Sequence, residues 1–139
     1  MGNKQSVKKI GFEDIKYLQS HGNRFIIINT LHETEQSCLI TGTITPKDEI
    51  SIINSSLQKP TLLIIIYGKN CNDETIYLKY EKLLNLGFSN VYVYPGGIFE
   101  WLCLQDIYGE TEFPTTTKEL DILKFKPSAT FNKLLLDIE

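Results

Sequence analysis

Cysteine and histidine are scarce in this chain of 139 residues: three cysteines (Cys38, Cys71, Cys103) and two histidines (His21, His32). The cysteines are odd in number and scattered, with no Cys-x-x-Cys pair. A disulfide framework is therefore not expected, and reduced thiols in a cytosolic setting are. The histidines share no motif spacing with the cysteines, so neither a metal site nor a cofactor is expected. No apolar run reaches the length of a membrane span and no secretory signal peptide is recognisable, which points to a cytoplasmic protein. Positive charge is also in deficit. The formal net charge of −3 gives no reason to expect nucleic acid as a partner.

What is present is ordinary for a soluble globular chain: 42% hydrophobic and 22% charged residues, at a length that suits one compact domain rather than two. The charge is unevenly placed. Lys4, Lys8 and Lys9 make the first ten residues +3, leaving −6 for the remainder. The same stretch opens Met-Gly-Asn-Lys-Gln-Ser, which fits the Met-Gly-x-x-x-Ser signal for myristoylation of Gly2 after Met1 is removed. One acyl chain binds a bilayer only weakly, and lysines beside an anionic leaflet contribute roughly 1 kcal/mol each. The expectation is a lipoprotein on the cytoplasmic face of a membrane, preceded by a flexible basic segment over residues 1–10. The other reading is a polar N-terminus that matches by chance.

The chain is organised around Leu62 to Gly87. Leu62 to Tyr67 is apolar without polar alternation, as a central parallel strand covered on both faces would be. Gly68 to Asp73 is a polar loop with Lys69, Asn70, Cys71 and Asn72 between its ends. From Glu74, Ile76, Tyr80, Leu83 and Leu84 fall at helical spacing, and Gly87 stops the helix. A loop placed between a strand's carboxyl end and a helix's N-terminus points N–H groups and partial positive charge at one spot, which suits an anion or a thiolate.

The rest of the chain repeats the pattern. A helix is expected over Gly11 to Ser20 with Phe12, Ile15 and Leu18 on one face, then a buried strand over Phe25 to Ile28. His32 falls in a polar loop, and Cys38 to Ile44 reads as extended with a turn at Gly42. Lys47 to Leu57 reads as a helix with Ile50, Ile53 and Leu57 inward, ended before Pro60. Val91 to Tyr94 gives a third strand, and Pro95-Gly96-Gly97 leads into a helix through Ile107. Lys118 to Lys124 is a candidate short helix, and Phe131 to Ile138 a final helix or strand on the outside. Strands alternating with helices imply a single α/β domain with a central parallel sheet and helices on both faces.

Three of these places resemble the rhodanese-like family, with similarity over roughly Phe12 to Thr116. Cys38 to Ile44 is similar to the family's Gly-His-Ile-Pro-Gly-Ala stretch, with the glycine kept at Gly42. The strand, loop and helix of Leu62 to Gly87 is the second. Gly96, Gly97 and Trp101 match the Gly-Gly-x-x-x-Trp pattern after the last core strand. The resemblance implies a rhodanese-like domain over residues 11–116, with residues 117–139 as a C-terminal extension packing on it, and Trp101 in the core. Family members move a sulfane sulfur through a cysteine persulfide at the loop's first residue, with an arginine near the loop's end. Here those positions read Gly68 and Asp73, so the implied chain is catalytically impaired or inactive. A third reading, a relative of the phosphatases that share this fold, would need a seven-residue loop beginning with cysteine and ending near arginine, and that pattern is missing.

Two readings of the loop stay open. In one, the protein is a membrane-associated binding or regulatory module that takes a protein partner or a small sulfur-containing anion through Gly68, Lys69, Asn70, Cys71, Asn72 and Asp73. In that reading Cys71 is a small loop residue and Asp73 caps the next helix. In the other, Cys71 is the relocated nucleophile of a sulfurtransferase, activated by the loop amides and Lys69. Cys38 and Cys103 are expected at or near the core, His32 in solvent, and an apolar patch near Ile98 and Phe99 would favour the binding module.

Overall fold

The computed structural model describes residues 6–22 and 24–131. Gly2, Asn3, Lys4 and the tail from 132 to 139 lie outside the described residues, so the acylation signal and most of the expected final element do too. The order of elements is α1 (Phe12–His21), β1 (Phe25–Asn29), a 3-10 turn (Glu33–Glu35), α2 (Pro46–Ser56), β2 (Leu63–Tyr67), α3 (Thr75–Asn85), β3 (Val91–Tyr94), α4 (Gly97–Tyr108) and a second 3-10 turn (Ile122–Phe125).

The three strands are parallel in the order β1-β2-β3, with Ile64 opposite both Ile26 and Val91. The unbroken apolar run of β2 has its cause in the layers around it. Ile27 and Ile65 point into a core with Ile15 of α1 and Trp101 and Leu102 of α4. Ile26, Ile28, Ile64 and Ile66 point into a second core with Ile53 of α2 and Ile76, Tyr80 and Leu83 of α3. With helices on both faces, neither parity of the strand meets water. This is the expected α/β domain.

Short stretches cover both edges. Val93 N donates to Lys8 O and Ile10 N to Val93 O, each at 2.9 Å, so residues 8–10 run along β3. At the other edge Ile44 N donates to Ile27 O at 3.0 Å, and Gly42 makes the turn before it with φ +97°. Covered edges remove a template for pairing with other chains.

Two readings need correction. Of the apolar residues expected inward on α2, only Ile53 is buried; Ile50 is 63% and Leu57 40% exposed. Ile53 carries the contact with the sheet, and Ile52 is half-buried against the same core. Ile50 lies on the flank facing α3, and Leu57 falls beyond the helix. The start of α2 is well specified, since Thr45 Oγ1 accepts from Asp48 N at 3.2 Å and Pro46 opens the helix. The short helix expected over Lys118 to Lys124 is instead the 3-10 turn Ile122–Phe125, which buries Phe125 under α4. Among the described residues, no helix is long and apolar enough to cross a membrane.

Candidate functional site

The loop from Gly68 to Asp73 sits at the carboxyl end of β2, where ligand sites of parallel sheets form. Tyr67 ends the strand below it. Its phenol approaches Thr43 Oγ1 at 2.8 Å and accepts from Ile40 N at 3.2 Å, and burial pushes its pKa well above the usual range.

The loop's polar groups are largely satisfied by one another. Asp73 Oδ2 accepts from Lys69 N at 2.8 Å; Asp73 Oδ1 accepts from Thr75 N at 3.0 Å and from Thr75 Oγ1 at 2.5 Å. Thr30 Oγ1 stands 2.7 Å from the Thr75 hydroxyl. Asn70 holds the turn, its Oδ1 accepting from Asn72 N at 2.9 Å and its backbone O from Asp73 N at 3.0 Å. The Asp73 carboxylate thus caps the first turn of α3 and spans the loop mouth, where an external anion would be drawn. The anion there is part of the chain.

Gly68 is fitted to that arrangement. A Cβ on Gly68 would collide with the Asp73 carboxylate and come within 2.9 Å of Thr30 Oγ1. The second constraint comes from α4. Ile98 N donates to Gly68 O and Phe99 N to Lys69 O, each at 3.0 Å, so the N-terminus of α4 is satisfied by loop carbonyls. Gly97 makes this approach with φ +68°, and a Cβ there would lie 2.7 Å from Gly68 O. The sequence pair Gly96-Gly97 therefore has a local reason at its second glycine.

Cys71 is exposed at the loop's apex, and its Sγ lies 3.8 Å from Asn72 Oδ1, an acceptor. Lys69 Nζ pairs with Glu35 Oε2 at 3.1 Å, joining the first 3-10 turn to the loop. The other thiols are elsewhere. Cys38 is buried and donates to Thr117 O at 3.4 Å. Cys103 is half-buried on α4, where burial first, then Asp106 and Glu100, raise its thiol pKa. Among the described residues, no three metal-ligating side chains gather at one point.

Several contributors were not read from the sequence. Thr30 and Thr75 complete the Asp73 cluster. Asn70 Nδ2 donates to Phe125 O at 2.9 Å, tying the loop to the C-terminal region. His32 is exposed as expected, but its Nδ1 also accepts from Thr34 N while Glu35 accepts from His32 N, a capping box for the 3-10 turn. Ile98 is fully buried and Phe99 half-buried against the core, so no exposed apolar patch forms there. Tyr80 and Tyr94 are buried; Tyr77 and Tyr92 are half-buried, with Lys9 and Lys8 Nζ 5.9 and 5.4 Å from their ring centres. One signal was available in the sequence. Its single arginine, Arg24, precedes β1 at the sheet's amino end, so no arginine stands at the loop.

Solved structures share this architecture. The Alr3790 protein from Anabaena sp. superposes with a TM-score of 0.56 at 18% identity, covering 83% of this chain and 97% of its own. The solution structure of the rhodanese-like domain of that protein gives 0.52 at 21% identity, covering 90% and 88%. The chain has a rhodanese-like fold. A full-length protein from Lactobacillus plantarum gives 0.54 at 16% identity, covering 70% of this chain and 82% of that one. No protein-family model matches the sequence, and no curated protein matches it significantly. At these identities the likeness concerns the fold alone.

Proposed function

We propose that this protein is a rhodanese-like module without sulfur-transfer activity, which acts by binding through the loop Gly68 to Asp73 at a membrane surface. One observation carries the reading: the Asp73 carboxylate takes the Lys69 and Thr75 N–H groups that would otherwise face a bound anion. A persulfide or thiosulfate at the same place would meet a fixed negative charge instead of a guanidinium. The exposed apex, Cys71 and Asn72, is left to contact a protein partner. Acylated Gly2 with Lys4, Lys8 and Lys9 supplies the membrane contact in this reading. Lys8 to Ile10 are tied to β3, so Gly2 lies six residues upstream of a fixed point, a reach of roughly 20 Å.

A second reading has Cys71 as the nucleophile of a diverged sulfurtransferase, favoured by its exposed thiol. Its thiolate would attack the outer sulfur of thiosulfate, release sulfite and hold a persulfide. Transfer of sulfur from thiosulfate to cyanide, assayed on the wild type and on Cys71→Ser, separates the two. The binding module gives the uncatalysed rate in both proteins; the enzyme turns over and loses that activity in the serine variant. The anchoring part has its own test, the intact mass after expression in a eukaryotic cell. Myristate on Gly2 is the predicted addition, and an unmodified Gly2 overturns it.

A further inference from the structure

The three strands and the stretch 8–10 beside β3 all run in one direction. The loop Gly68 to Asp73 stands at their carboxyl end, so the chain ahead of Lys8 enters at the amino end. Strands of five residues put roughly 17 Å between the two ends. Val7 packs against the core of α2 and α3 and fixes the point of entry. Entry point and loop therefore lie at opposite ends of the sheet.

The two ends also differ in charge. At the amino end Arg24 immediately precedes β1 and Lys59 lies in the turn ahead of β2. Lys8 Nζ donates to Ser89 O, just ahead of β3, at 2.9 Å. All three residues are exposed, and none joins an ion pair among the described residues. Asn90 Nδ2 donates to Thr61 O at 2.9 Å, holding the turns before β2 and β3 side by side. From β1 to the stretch 8–10 is three strand spacings, so the cations line up over roughly 14 Å. Among the acids beyond or near the helix ends, Glu110 and Glu112 pair with Lys118 and Lys16. Asp106 lies on α4, across the sheet from Lys59, and Glu81 has Lys82 beside it on α3. At the carboxyl end Glu33, Glu35, Asp48, Asp73 and Glu74 outnumber Lys47, Lys69 and Lys126.

We infer that the amino end of the sheet, through Lys8, Arg24 and Lys59, is the face laid on the anionic headgroups of a bilayer. The loop Gly68 to Asp73 is then held away from the membrane and open to a partner in solution. An anionic leaflet attracts the basic end and repels the acidic one, so charge and chain direction set the same orientation. The inference rests on the membrane contact proposed above, adding to it Arg24 and Lys59 of the folded domain; it does not require the acyl chain.

The test uses the full-length protein, acylated and unacylated, with vesicles of phosphatidylcholine alone or mixed equally with phosphatidylserine. Both forms should partition more strongly onto the mixed vesicles. Arg24→Ala/Lys59→Ala should weaken that partitioning about tenfold or more. Lys47→Ala/Lys126→Ala makes the same change of net charge at the carboxyl end and should leave it unchanged. On the mixed vesicles Cys71 should keep its rate with a membrane-impermeant thiol reagent, while the thiol introduced by Gln58→Cys is shielded. Equal losses in the two double variants, or shielding of Cys71, would overturn the proposal. An acylated protein that binds both kinds of vesicle equally would overturn the basic face and leave the acyl anchor standing.

Discussion

The Asp73 carboxylate occupies the space that a side chain on Gly68 would need. The two residues lie at opposite ends of a six-residue loop, yet the carboxylate crosses to the Lys69 amide beside Gly68. Residue 68 is thereby held to glycine by contact rather than by backbone angle. A side chain fits there only if Asp73 moves.

That coupling is measurable. Gly68→Ala should cost about 1–3 kcal/mol, the usual penalty for an overpacked site. Asp73→Gly removes the obstacle and the cap together. In a urea-denaturation cycle, the double variant should be more stable than the sum of the two singles by about 0.5–3 kcal/mol. Strict additivity would show that the two sites do not touch.

The cap has its own contribution. Asp73→Ala frees the Lys69 and Thr75 N–H groups, for an expected loss of about 1–2 kcal/mol. Asp73→Asn keeps the shape and an acceptor oxygen and should lose less. Equal losses in the two variants, read from urea midpoints at constant m-value, would contradict a hydrogen-bonding role.

Trp101 is the chain's single tryptophan and is fully buried, edge-on to Tyr94 and Phe113, with Nε1 donating to Pro114 O at 3.1 Å. Trp101→Ala should therefore cost about 3–5 kcal/mol. In the wild type the same residue reports unfolding directly. Its emission should shift to the red in one transition that coincides with loss of far-UV circular dichroism.

The three thiols should react in order of exposure. With a disulfide reagent at neutral pH, Cys71 reacts first, Cys103 slowly and Cys38 only on unfolding. Because the folded state raises the Cys103 pKa, its stabilising effect is complete below the ordinary thiol value and declines as pH rises past it. Cys103→Ser should flatten that alkaline decline. Two fast thiols in the native protein, or an unchanged slope in the variant, would be inconsistent with the environment of α4.

The core was legible because the run before Tyr67 lacks polar alternation, which only a strand covered on both faces tolerates. The helical spacing of Ile76, Tyr80 and Leu83 identified α3 for the same reason of periodicity. Ile50 and Leu57 differ from the expectation, since spacing cannot tell which flank of α2 faces the sheet or that the helix ends before Leu57. The loop was visible as a loop, but not as one closed by its own carboxylate. That closure depends on Thr30, Thr75 and the docking of α4, contacts between residues distant in the chain. Asn70 and Phe125 are 55 positions apart, and no local pattern links them.

The claim that the loop already contains its anion is tested most directly by loading sulfur. The purified full-length protein is incubated with excess thiosulfate, freed of it, and weighed intact beside Cys71→Ser. Both proteins should return the same unmodified mass. A gain of one sulfur in the wild type alone, mapped to Cys71, would contradict it and make Cys71 a working nucleophile.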